Sequence, residues 1–153
     1  MFGKTLTQYL GFQKVVLAVI VLTFLLRLGL SLAGTPNSVA KWISVTVVLL
    51  AGVVYYGAAV YTSGFGSYKQ LYPLVLFQSL LGEGLVALAV VLAILTGADN
   101  IYTAPEYSGG GDGKNWLHVL AHLVIAAVVL PLVSWGVSSL VMLVTRKIAP
   151  RTA

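Results

Sequence analysis

The sequence predicts an all-α integral membrane protein: a four-transmembrane-helix bundle with the N- and C-termini cytoplasmic. Composition is the first reason. Of the 153 residues, 59% are hydrophobic and only 8% are charged, against roughly 25% in ordinary soluble domains. The mean hydropathy is +0.97. A soluble domain needs more polar surface to stay dispersed, and a disordered chain needs far less apolar content. The second reason is pattern. Four apolar stretches reach the length of about 20 residues that a bilayer crossing requires. The third is the placement of cations, which gives the bundle its orientation.

The first span is read at about residues 15–33 and carries one charge, Arg27. It ends at the turn Gly34-Thr35-Pro36-Asn37. It is too long for a signal-peptide core and is expected to be a retained helix. The preceding Met1–Lys14 segment mixes apolar residues with Lys4 and Lys14. It reads either as a short surface helix or as a frayed terminus. The second span is read at about 39–61, with Ser38 as its N-cap. The third runs at about 72–96, with Pro73 in its first turn and Gly97 as its stop. The fourth runs at about 116–145, with a kink expected at Pro131. The connection 97–115 contains Gly109-Gly110-Gly111-Asp112-Gly113, so its second half is expected to be flexible.

With both termini on one side, that side collects Lys4, Lys14, Lys69, Arg146, Lys147 and Arg151. The other holds Lys41 and Lys114. This bias predicts cytoplasmic termini and an outward-facing 97–115 loop. Tyrosines at one end and Trp42 and Trp116 at the other form the expected interfacial belts. A bacterial-type inner or plasma membrane is the expected location. The lipid bilayer is the expected partner, with a homo-oligomer or a larger membrane complex beyond it. The cations are scattered along apolar segments, so a basic composition does not point to nucleic acid. There is no cysteine, which excludes thiolate metal sites and cysteine nucleophiles. No phosphate loop, dinucleotide fingerprint or nucleophile elbow is present.

Two formally charged residues fall inside spans, Arg27 and Glu83. Each such charge costs several kcal/mol unless it is paired or functional. At 1.5 Å per residue, Arg27 lies about 18 Å and Glu83 about 17 Å from the same edge, so a direct ion pair is expected. His122 falls roughly one turn from that level, and His118 shares its helix face at i, i+4. Asn115 continues the histidine stripe, Thr23 shares the Arg27 face, and Ser79 shares the Glu83 face. The expected result is a polar cavity, open to the outside beneath an acidic loop. It would bind or pass a small polar or anionic ligand, or relay protons. A metal site built from His118, His122 and Glu83 is one alternative, and haem ligation by a single histidine is another. A non-catalytic accessory subunit, in which the ion pair only sets helix register, is the remaining reading. No catalytic residue is assigned. Gln78 is expected to be structural, bonding to a neighbouring helix or to Tyr55 or Tyr56.

Overall fold

The computed structural model describes residues 1–149. Arg151, counted in the cation bias, lies outside the described residues. Every regular element among them is helical. Four of these helical stretches are long and apolar enough to cross a membrane.

Helix α1 runs over Leu6–Leu32. It starts nine residues before the span read from the sequence, so the Met1–Lys14 segment is neither a separate surface helix nor a frayed end. The reason is a capping box. Thr5 Oγ1 accepts from the Gln8 amide at 3.2 Å, and Gln8 Oε1 accepts from the Thr5 amide at 2.8 Å. Buried Tyr9 then anchors the first turns, donating to the Met1 carbonyl at 3.0 Å.

The second apolar stretch is broken. A single turn, α2 (Asn37–Ala40), precedes α3 (Val45–Thr62). The N-cap of the long helix is Ser44 rather than Ser38, with its hydroxyl accepting from the Val47 amide at 3.4 Å. Helix α4 (Tyr68–Thr96) also begins earlier than expected, through a second capping box formed by Ser67 and Gln70. Pro73 therefore lies inside the helix rather than in its first turn. Gly97 ends it in the left-handed region at φ +75°, as a glycine stop requires.

The fourth stretch comprises α5 (Trp116–Val124), a π-helical turn over Ile125–Val129, and α6 (Leu130–Ile148). The widened turn directly precedes Pro131. Proline has no amide to donate to the previous turn, and a π turn absorbs that lost bond.

Helix α4 is central, packing on α1, α3, α5 and α6. The core has two parts. One lies toward the connecting-loop end and includes Ile20, Phe24, Leu49, Val86, Val90, Ile101 and Tyr102. The other lies toward the termini and includes Tyr9, Val53, Tyr56, Leu71, Leu74 and Met142. Outward faces carry Leu22, Leu25, Leu26, Leu50, Leu88, Leu95 and Leu140, all exposed. A surface of that kind suits acyl chains.

Polar contacts inside the terminal half are few, and Gln13 Nε2 and Gln78 Oε1 are left without a hydrogen-bond partner. Gln78 donates to the Leu49 carbonyl at 3.1 Å, which is the neighbour-helix bond expected of it. Tyr56 donates to Gln13 at 3.2 Å. Glycines permit the closest approaches. A methyl group on Gly57 would meet the Ser138 carbonyl oxygen and Val141 Cβ, each at 2.6 Å.

The 97–115 connection is folded rather than open. Asn100 is buried and donates to the Ala89 carbonyl at 3.0 Å, while its side-chain oxygen accepts from the Tyr102 amide at 3.0 Å. Ile101 donates its amide to Ser31 Oγ at 2.7 Å, tying the loop to α1. Lys114 pairs with Asp99 at 2.7 Å. The glycine run is a hydrogen-bonded turn, with the Gly110 amide on the Pro105 carbonyl at 2.8 Å. Gly109 and Gly110 take φ of +81° and +92°, which explains glycine there.

Candidate functional site

The histidine helix is fixed by its own cap. Asn115 is the N-cap of α5 and accepts from the His118 amide at 2.8 Å. It also donates to the Asp112 carbonyl at 2.7 Å. Its side chain is thus engaged in helix initiation. From that start, His118 and His122 fall one turn apart on the face turned toward α4.

His122 Nδ1 meets Glu83 Oε2 at 2.6 Å. Both side chains are largely buried. His122 Nε2 meets His118 Nε2 at 3.1 Å, and His118 Nδ1 meets the Gly113 carbonyl at 2.9 Å. Four groups from α4, α5 and the loop therefore form one chain of contacts.

Arg27 is not part of that chain. No carboxylate lies within 4 Å of it among the described residues. The direct Arg27–Glu83 ion pair expected from equal depth is absent. The physical reason is competition. Glu83 is taken by His122, and the flexible arginine stem carries its head group toward the loop. There the guanidinium carbon sits 4.9 Å from the Tyr102 ring centre and 5.6 Å from that of Tyr107. Arg27 is only 9% exposed, and its Nε–H has no hydrogen-bond partner. Burial pushes the Tyr102 phenol up to about 12, with the Arg27 charge pulling the other way.

Arg27, Glu83 and His122 nevertheless share one cavity of about 290 Å³. Lys41, Ser44, Thr46, Tyr102 and Tyr107 complete its polar lining. Ser79 is buried and does not line it, and neither do Thr23 and His118. The expected acidic lid is also placed differently. Asp99, Glu106 and Asp112 line a separate hollow of about 590 Å³, while the loop gives the Arg27 cavity two tyrosines. Glu106 accepts from Asn37 at 3.2 Å. Its carboxyl is held below its ordinary value by a hydrogen bond to its own backbone and then by Asn37.

The three-ligand metal arrangement does not form. Glu83 contacts the Nδ1 edge of His122, while His118 meets the opposite Nε2 edge. Among the described residues, no three His, Asp or Glu side chains converge as metal ligands.

Sequence reasoning missed Tyr102, Tyr107, Lys41, Ser44 and Thr46. The available signal was a pair of aromatic residues in a polar loop beside the lone arginine of an apolar helix. Compared with known protein families, curated proteins and solved structures, the chain matches none.

Proposed function

We propose that this chain is a multi-pass membrane protein with cytoplasmic termini that binds a small anion in the Arg27 cavity, from the side of the 97–115 loop. The observation that carries the reading is Arg27 itself. It is a buried cation with an unpartnered N–H and no carboxylate within 4 Å among the described residues. A buried charge without a counter-ion is costly, and an anion entering the cavity supplies one. Tyr102 and Tyr107 engage the guanidinium by cation–π contact and steady it, while the N–H groups suit a planar or tetrahedral oxoanion. Lys41 adds a second cation to the same lining. Glu83 would repel an anion, but its carboxylate is engaged by His122 Nδ1 at 2.6 Å rather than free in the cavity. One chain lines the whole cavity, so binding at this site needs no second copy, whatever oligomer forms in the bilayer. The hydropathy of the four helices and the six-to-two cation bias support the membrane placement.

Two measurements test this. The chain has no native cysteine, so Lys69→Cys and Gly111→Cys report sidedness. Labelling of position 111 from outside intact cells, and of position 69 only after permeabilisation, is the expected pattern; the reverse sinks the orientation. Binding is read by thermal unfolding in detergent with chloride, acetate, sulfate and phosphate. An anion at 100 times its Kd should stabilise the parent by about 2.7 kcal/mol. Arg27→Gln should lose that shift. If no anion stabilises the parent, or the shift survives in Arg27→Gln, the reading is wrong.

A further inference from the structure

The histidine pair is not explained by anion binding, since His118 does not line the Arg27 cavity. Its hydrogen-bond partners determine which ring nitrogens are free. The Gly113 carbonyl can only accept, so His118 Nδ1 carries a hydrogen. The Glu83 carboxylate likewise accepts from His122 Nδ1–H. In both neutral rings the proton is on Nδ1, and both Nε2 atoms are bare. These two bare nitrogens face each other at 3.1 Å. Two lone pairs at that distance repel unless a cation lies between them.

We propose that His118 Nε2 and His122 Nε2 form a binding site for a divalent late transition-metal ion of the zinc and copper class. Three features favour a metal over a shared proton. The first is distance. With metal–nitrogen bonds of about 2.1 Å, a 3.1 Å nitrogen separation closes an N–metal–N angle of roughly 95°, near the roughly 90° of a square-planar copper site and somewhat below the tetrahedral angle of zinc. The second is direction. The ring centroids are 4.8 Å apart with planes 37° apart. Rings aimed head-on through those nitrogens would hold their centroids further apart, so the lone-pair axes do not both lie along the Nε2–Nε2 line. A bent arrangement weakens a hydrogen bond and suits chelation. The third is the outer shell. A carboxylate on one Nδ1–H and a backbone carbonyl on the other are the partners that orient metal-bound histidines and raise their basicity. Gly113 is itself pinned, with its amide on the Thr103 carbonyl at 3.2 Å and no room for a Cβ against that residue. The carbonyl facing His118 is therefore fixed in place.

The chain supplies two ligands, and water or an incoming donor completes the coordination. Glu83 acts as a positioning residue through His122, not as a ligand. The proposal does not rest on the anion reading: His122 also lines the Arg27 cavity, but the metal would sit on its Nε2 side, away from Glu83.

The test uses untagged full-length protein in detergent, titrated with Zn2+ by calorimetry and with Cu2+ by electron paramagnetic resonance. Expected are about one Zn2+ per chain and a Cu2+ spectrum with coupling to two imidazole nitrogens. His118→Ala and His122→Ala should each lower Zn2+ affinity by more than about tenfold. Glu83→Gln should lower it by about tenfold, the low end for an outer-shell partner. Asp112→Asn in the acidic hollow should leave it unchanged. Copper coupled to both nitrogens in the parent keeps the proposal testable even if a histidine variant misfolds. No saturable Zn2+ binding below 100 μM (about −5.5 kcal/mol), or binding that survives both histidine substitutions, overturns the site. Full affinity in Glu83→Gln overturns the positioning role.

Discussion

Replacing Gly57 by alanine should destabilise the bundle, and replacing Gly136 by alanine should stabilise it. Both glycines lie inside long helices, α3 and α6. Helix propensity alone favours alanine over glycine by about 0.8–1.0 kcal/mol at each. The surroundings decide the sign. At Gly136 an added methyl meets nothing within 4 Å, so the propensity gain stands. At Gly57 it meets the Ser138 carbonyl oxygen and Val141 Cβ, both at 2.6 Å. A backbone carbonyl and a Cβ do not rotate aside, so α3 and α6 must separate. Overpacking of this sort costs about 1–3 kcal/mol, and separation also loosens the contacts of buried Ser134 and Ser138. The propensity gain is common to both, so the two variants should differ by the overpacking cost, about 1–3 kcal/mol, or roughly 2–12 °C in Tm at 2–4 °C per kcal/mol. Circular dichroism melts in one detergent, with both variants beside the parent, read the difference. If Gly57→Ala melts at or above the parent temperature while Gly136→Ala also rises, α3 and α6 do not meet as described.

Two further outcomes concern the loop. Asn100→Ala removes the bond to Ala89 and the turn that places Tyr102; leaving buried backbone groups unpaired costs about 1–3 kcal/mol. The loop amides should exchange faster, and anion stabilisation should weaken; unchanged exchange would show that Asn100 does not hold the loop. Glu106 has a folded-state pKa below its ordinary 4.5. A depressed carboxylate contributes stability above its unfolded value and loses it as pH falls through the folded one. Its contact with Asn37 should thus persist at pH 4.5 and weaken only below it. In a carboxyl NMR titration, Glu106 should have a midpoint under 4.5 that rises in Asn37→Ala, and a midpoint at or above 4.5 in the parent would refute the contact.

Much of this fold was legible because a helix long and apolar enough to cross a membrane leaves a strong signal. Length and hydropathy located four stretches, and Gly97 marked its helix end. The starts were less legible, because a capping box depends on two side chains closing a ring. Thr5 with Gln8 and Ser67 with Gln70 extended two helices beyond the apolar runs. Nothing local distinguished Ser38 from Ser44 as a cap, since the choice depends on the packing of Ala40 and Val45 in the core.

The site divides along the same line. Helical spacing put His118 and His122 on one face, and the depth argument brought His122 to Glu83. Both are properties of rigid rods and can be counted along a sequence. The depth argument failed for Arg27 because it located a Cα and not a head group. An arginine stem reaches several ångströms along the helix, and where it goes depends on what waits there. What waits is Tyr102, held by the Asn100 turn against α4, and Tyr107, beside the Glu106–Asn37 contact. Those positions come from loop folding, which no periodicity encodes. Had Arg27 reached Glu83, the two charges would have neutralised each other and the cluster would be a register device. Because the loop tyrosines draw Arg27 away and His122 takes Glu83, one cation is left buried without a carboxylate and two imidazole nitrogens are left facing each other. The anion proposal rests on the first and the metal proposal on the second.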